Sequence, residues 1–149
     1  MSAPADPGAL RAAILSEARA WIGTPYLHRA SLKGHGADCL GLVRGVWRAC
    51  LGDEPEEMSP YAPHWPLATR EEPLRVAARR YLIPAPSAWP GDVLLFRWRA
   101  GLPASHAGIL ASEASFIHAH DGAAVAEVAF TAWWRRHLVD VFSFPGAAG

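Results

Sequence analysis

Two textures of hydrophobic patterning divide the chain. In the first half, Leu10, Ile14, Ala18, Trp21 and Ile22 recur at helical spacing, which predicts an amphipathic helix over residues 9–22 ended by Gly23 and Pro25. Residues 24–37 carry no clear period and read as a loop. A second helix is predicted from Cys39 to about Leu51, with Gly52 as its stop. Residues 53–73 hold prolines 55, 60, 63, 66 and 73 and read as irregular surface chain, long enough to be a binding loop. "REEPLRVAARRYL" then predicts a short helix with Pro73 in its first turn.

The turn "WPGD" at residues 89–92 marks the change of texture. Beyond it, "DVLLFRW", "HAGILA", "SFIHAH", "AVAEVAF" and "LVDVFSF" are short, apolar or alternating runs, and they predict about five antiparallel strands. "TAWW" reads as a brief helical turn before the last of them. Helices first and sheet second is the α+β pattern. The 149 residues suit one domain over residues 9–149 behind a loose Pro- and Ala-rich arm, residues 1–8.

Charge removes some function classes. Lys plus Arg and Asp plus Glu are 14 each, so the chain lacks the basic excess that nucleic-acid binding demands. No apolar run is long enough for a membrane span. The start lacks a basic segment followed by an unbroken apolar stretch, so the expectation is cytoplasmic synthesis, with any later export by another route. Cys39 and Cys50 are the two cysteines; about 16 Å of helix rise would separate them, too far for a disulfide. Eleven helical steps return to nearly the same face, so Cys50 is expected in the core.

The chemistry gathers around Cys39. Asp38 is a strong N-cap type, and Cys39 would then open a helix whose free N–H groups and dipole favour negative charge. The dipole alone supplies about 0.3–1 kcal/mol, whereas making a thiolate dominant at neutral pH requires roughly 3 kcal/mol, so a nearby imidazolium must contribute the rest. Gly41 and Gly45 share a helix side, and something must approach it closely, either another backbone or a ligand. Local evidence leaves a buried, inert Cys39 open.

Among seven histidines, His28, His35 and His64 fall in loops, and His137 lies beside arginines. His106 opens a predicted strand, and His118 and His120 share one face of another. A base held on a rigid element needs a third group to fix its tautomer, and His118 serves His106 if the two strands are neighbours. Glu113 and Asp121 are less well placed, and His120 is expected behind the site or exposed. Cys39, His118 and His120 also suggest a zinc site, without the compact spacing such sites usually show.

With these residues placed, the chain resembles the NlpC family of cysteine peptidases, a papain-like group that cuts bacterial cell-wall peptides. "GTPY", "ADCLGLVRGVW", "WPGDVLLF", "SHAGILA" and "FIHA" resemble that family's segments in order, over roughly residues 10–144. The resemblance implies a papain-like α+β fold with the nucleophile at a helix N-terminus packed on the sheet. It implies Cys39 as nucleophile in an ion pair with His106 as base, His118 as orienter, and no metal or cofactor. Tyr26, Asp38 and Leu40 would lie at the substrate or the oxyanion. Family members usually carry Ser after the Cys, where it helps hold the free amine of a stem peptide; here it is Leu40. The usual Gly-Gly after the Tyr is replaced by "LHRASLKGHG". Both departures look like the subgroup found with tail genes of phages and gene transfer particles. The implied protein is a peptidoglycan stem-peptide endopeptidase carried in a phage-like tail to the periplasmic cell wall. The alternatives are another amide or ester hydrolase on the same triad, or a catalytically silent tail or baseplate component docking through residues 53–73, Trp65, Trp133 and Trp134.

Overall fold

A computed structural model describes residues 6–55 and 73–148. Helix α1 spans Pro7–Ala20 and begins earlier than its apolar period indicates, because Asp6 and Pro7 make a complete start. The Asp6 carboxylate accepts from Ala9 N–H at 2.8 Å, and proline at the first position forfeits no helical hydrogen bond. The helix also ends earlier: Trp21 turns inward, whereas Ile22, expected on the apolar face, is 45% exposed.

A short hairpin, β1 (Ser31–Leu32) with β2 (Gly36–Ala37), occupies the stretch expected to be loop. Helix α2 then runs Cys39–Leu51, capped by Asp38 and ended by Gly52 at φ 100°, as its sequence predicts. Helix α3 spans Pro73–Tyr81. The arm at residues 1–5, most of the proline-rich segment, His64 and Trp65 lie outside the described residues.

The remaining strands are β3 (Ile83–Pro84), β4 (Val93–Phe96), β5 (His106–Ser112), β6 (Ser115–His118), β7 (Ala126–Ala129) and β8 (Leu138–Ser143), with the short α4 (Ala132–Arg136) before β8. They form one antiparallel sheet in the order β3-β8-β4-β5-β6-β7. Sequence patterning predicts about five strands; the sixth, β3, is a two-residue edge whose Pro84 could not donate within a sheet interior.

The alternation of the strands sorts side chains onto two cores. Val93, Leu95, Ala107, Ile109 and Ile117 face the helices and join Ile14, Leu42, Val46 and Trp21. Leu94, Phe96, Leu110 and Phe116 point the other way, against Phe130 and Trp134 of the segment around α4. Both faces of β4 are therefore covered, which is why all four of its residues are apolar and buried.

Two glycines explain how closely α2 is embraced. A Cβ on Gly45 would stand 2.0 Å from Cζ2 of Trp21, so the indole lies directly on the helix backbone. A Cβ on Gly41 would stand 1.8 Å from the carbonyl oxygen of Ala30, where the loop before β1 crosses the first turn. Cys50, expected in the core, is only half-buried, packed at the margin of the helix-side core.

We expect Gly45→Ala to destabilise the protein by about 1–3 kcal/mol, because a rigid indole cannot yield the space. Urea unfolding followed by tryptophan fluorescence measures this, and an unchanged midpoint would show that Trp21 is free to move.

Candidate active site

The site is assembled around a buried carboxylate. Asp38 Oδ1 accepts the N–H of Gly41 at 2.7 Å, the ordinary N-cap bond, while Oδ2 accepts the N–H of Arg29 at 2.7 Å. His28 Nδ1 lies 3.8 Å from the same oxygen. One side chain thus joins the start of α2 to the preceding loop. The loop accepts an unfavourable backbone to get there: Arg29 has φ 66°, a left-handed conformation uncommon for a residue with a Cβ. Tyr26 is held beside it, since Leu27 N–H donates to the Ala37 carbonyl and Ala37 N–H to the Pro25 carbonyl.

Cys39 opens α2 and is buried. Its sulfur is approached by the backbone N–H groups of Ala107, Leu40 and Cys39 itself. The Ala107 amide is bonded directly to the carbonyl carbon of His106, so the thiol rests against the backbone of the residue that carries the imidazole. Burial pushes the thiol up to about 11, the Asp38 charge adds to this, and the three N–H groups oppose it.

His106 begins β5, opposite Phe96 on β4, and is 4% exposed. Its Nε2 lies 2.8 Å from Nδ1 of His118 on the adjacent strand β6. Burial, with the charges of His118 and His120, brings the His106 imidazole down to about 3; burial and then His120 bring His118 down to about 4. The two rings stand among the aromatics of the second core: Phe96, Phe116 and Trp134. Burial of each group alone favours a neutral thiol and a neutral imidazole. Burial thus works against both charges of the thiolate–imidazolium pair expected from the sequence, while the helix-end N–H groups favour the thiolate.

The structure brings His106 and His118 into direct contact and lays the thiol against the start of the same strand. Tyr26 is nearby: its hydroxyl is held protonated by burial and by the charges of Asp38, Cys39 and Asp121. It lines an open groove with Asp121 and the following turn, Gly122–Ala124. Leu40 is different. Its side chain is 6% exposed and faces Leu74 and Tyr81 of α3 and Leu95 of the sheet, so what it presents to the thiol is its main-chain N–H.

Among the described residues, no group of three His, Cys, Asp or Glu side chains is arranged to hold a metal ion, so Cys39, His118 and His120 do not form the zinc cluster considered above. Trp134, named above only in the docking alternative, is half-buried against both histidines, whereas Trp133 is 41% exposed and stacks on His137 at 3.8 Å. Sequence reasoning passed over Trp98, whose indole stacks on His106 at 5.2 Å. The alternation of "FRW" was the available signal, because it places Trp98 on the side of Phe96, the residue opposite His106.

The raised thiol pKa predicts a simple pH dependence. Alkylation of Cys39 by iodoacetamide should be slow near neutral pH and climb through the alkaline range toward the thiol value of about 11. A rate that is already maximal at pH 5–6 would show an ion pair instead.

A sequence model of the NlpC/P60 family matches residues 23–143. The γ-DL-glutamyl hydrolase of Bacillus subtilis (strain 168) is 31% identical over 122 residues, 77% of this chain and 24% of the relative, so the chain spans about a quarter of that protein. Solved structures share the fold. The NlpC/p60 domain of the peptidoglycan hydrolase SagA has a TM-score of 0.62 at 24% identity, covering 90% of this chain and 98% of that one. An NlpC/P60 family protein from Bacillus cereus has a TM-score of 0.66 at 15% identity, covering 90% of this chain and 40% of that one. With a thiol at a helix start, a histidine pair on adjacent strands and a family match over most of its length, the chain belongs to the NlpC/P60 family of cysteine peptidases and amidases.

Proposed function

We propose that the protein hydrolyses amide bonds in peptidoglycan stem peptides, with Cys39 as nucleophile, His106 as base and His118 as its orienter. The observation that carries this reading is the 2.8 Å bond between His106 Nε2 and His118 Nδ1 on the strand whose backbone touches the thiol. For His106 to act through Nδ1, that nitrogen must hold the lone pair. Nε2–H then donates to His118 Nδ1, and His118 carries its own proton on Nε2.

Starting from the neutral pair, the sulfur attacks the carbonyl carbon as its proton passes to His106 Nδ1. The oxyanion takes hydrogen bonds from main-chain N–H groups at the start of α2 and from the Tyr26 hydroxyl, which its raised pKa keeps as a donor. The imidazolium returns the proton to the departing amine as the C–N bond breaks, leaving a thioester. Water then adds with His106 again as base, the acid product leaves and the thiol is restored. The name of the Bacillus relative makes a γ-glutamyl linkage the first bond to test.

Leu40 bears on specificity. A leucine committed to the space beneath α3 offers no hydroxyl to a substrate amine, so recognition falls to the Tyr26–Asp121 groove. This departure and the "LHRASLKGHG" segment also support delivery by a phage-like tail to the periplasmic wall. Sedimentation of particles from a producing strain tests delivery: the chain should travel with tails, and its confinement to the soluble fraction would refute this part.

The activity is tested on purified muropeptides by mass spectrometry. Cys39→Ala should lower turnover by about a thousandfold or more while leaving the circular dichroism spectrum unchanged. Equal cleavage by wild type and variant would refute the assignment, and an inert wild type would favour the silent tail component.

A further inference from the structure

His106 is buried, yet the rings around it are unequal in exposure. Phe96 is fully buried, Trp134 is half-buried, and His118 is buried; Trp98 is 37% exposed, and His120 is exposed. Trp98 and His120 therefore form the water-facing side of the imidazole, and they touch each other edge to face at 5.5 Å. Trp98 is the one that lies flat on His106, with centroids 5.2 Å apart and planes at 29°. It also meets Trp134 at 5.9 Å, and Trp134 lies 5.7 Å from His106, so the three rings close a triangle.

We propose that Trp98 is a positioning residue for His106: its indole walls the imidazole off from water and holds the ring in the orientation that keeps Nε2 on His118 and Nδ1 available to the thiol. The inference rests on the reading of His106 as the base. A histidine ring turns easily about its last torsion, and packing against flat neighbours is what fixes it. Excluding water also strengthens the His106–His118 hydrogen bond, since no solvent competes for either nitrogen. Trp98 follows β4 in the turn toward β5, so its hold on His106 depends on that turn rather than on sheet pairing.

The titratable groups whose charges act on His106 are His118 and His120, from β6 and its continuation. From β4 with its continuation, and from α4, come the rings of Phe96, Trp98 and Trp134. Opening the Trp98 wall should therefore act on His106 through hydration, with no charge added or removed.

The test uses the full chain and three forms: wild type, Trp98→Ala and Trp98→Phe. Proton NMR of the His106 ring, assigned with His106→Asn, follows its titration without any substrate. In wild type the signal should stay flat from pH 8 to 5. In Trp98→Ala it should titrate, with a midpoint moved up toward the ordinary histidine value of about 6.5, and Trp98→Phe should restore the flat profile. On muropeptides, Trp98→Ala should lower kcat by about tenfold to a hundredfold with little change in KM. A flat His106 signal in Trp98→Ala overturns the proposal, and so does a loss confined to KM, which would make Trp98 a substrate contact. Failure to fold, seen by circular dichroism, transfers the decision to Trp98→Phe against Trp98→Leu, where an aliphatic residue that matches the phenylalanine overturns it. If no muropeptide is cleaved by any form, the titration still decides the positioning role, while the peptidase reading fails separately.

Discussion

The carboxylate of Asp38 is the joint on which the site depends. It is buried and shared between the first turn of α2 and the backbone of Arg29, so it caps a helix and pins a loop with the same two oxygens. A helix cap is worth about 1 kcal/mol. Leaving a buried carboxylate or its partner N–H groups unpaired costs more, because each then lacks both water and protein. The close crossing of Ala30 over Gly41 and the strained turn at Arg29 are two consequences of the same constraint. Tyr26 stands beside the thiol because this loop is held down.

That joint is electrostatically adverse to the thiol. Asp38 raises the Cys39 pKa, as burial does, while the N–H groups at the helix start lower it. Burial likewise disfavours charge on His106 and His118. Each of these shifts favours keeping the proton on sulfur and both imidazoles uncharged. A neutral imidazole as orienter fits this balance better than a carboxylate would, since it steers a tautomer without adding another buried anion.

Much of the arrangement was legible in the residues. Asp38 before Cys39 marked the start of α2, and the alternation in "SFIHAH" put His118 on a side where it could meet His106. Strand adjacency could not be read from either segment; it follows from the β5–β6 hairpin and its register. The β1–β2 hairpin escaped notice because two-residue strands have no measurable period. The place of Trp134 against the histidines was not legible, because a short helix preceded by a loop gives no sign of which face the sheet will cover. Leu40 was read through its position next to the thiol, but on a helix the next residue points about 100° away, and here that direction leads under α3.

The commitment of Leu40 to that space ties the evolution of specificity to that of stability. A hydroxyl introduced at this position would open a void among Leu74, Tyr81 and Leu95 and bury an oxygen there, at a cost on the order of several kcal/mol. Such a change would be viable only with bulkier residues arriving on α3.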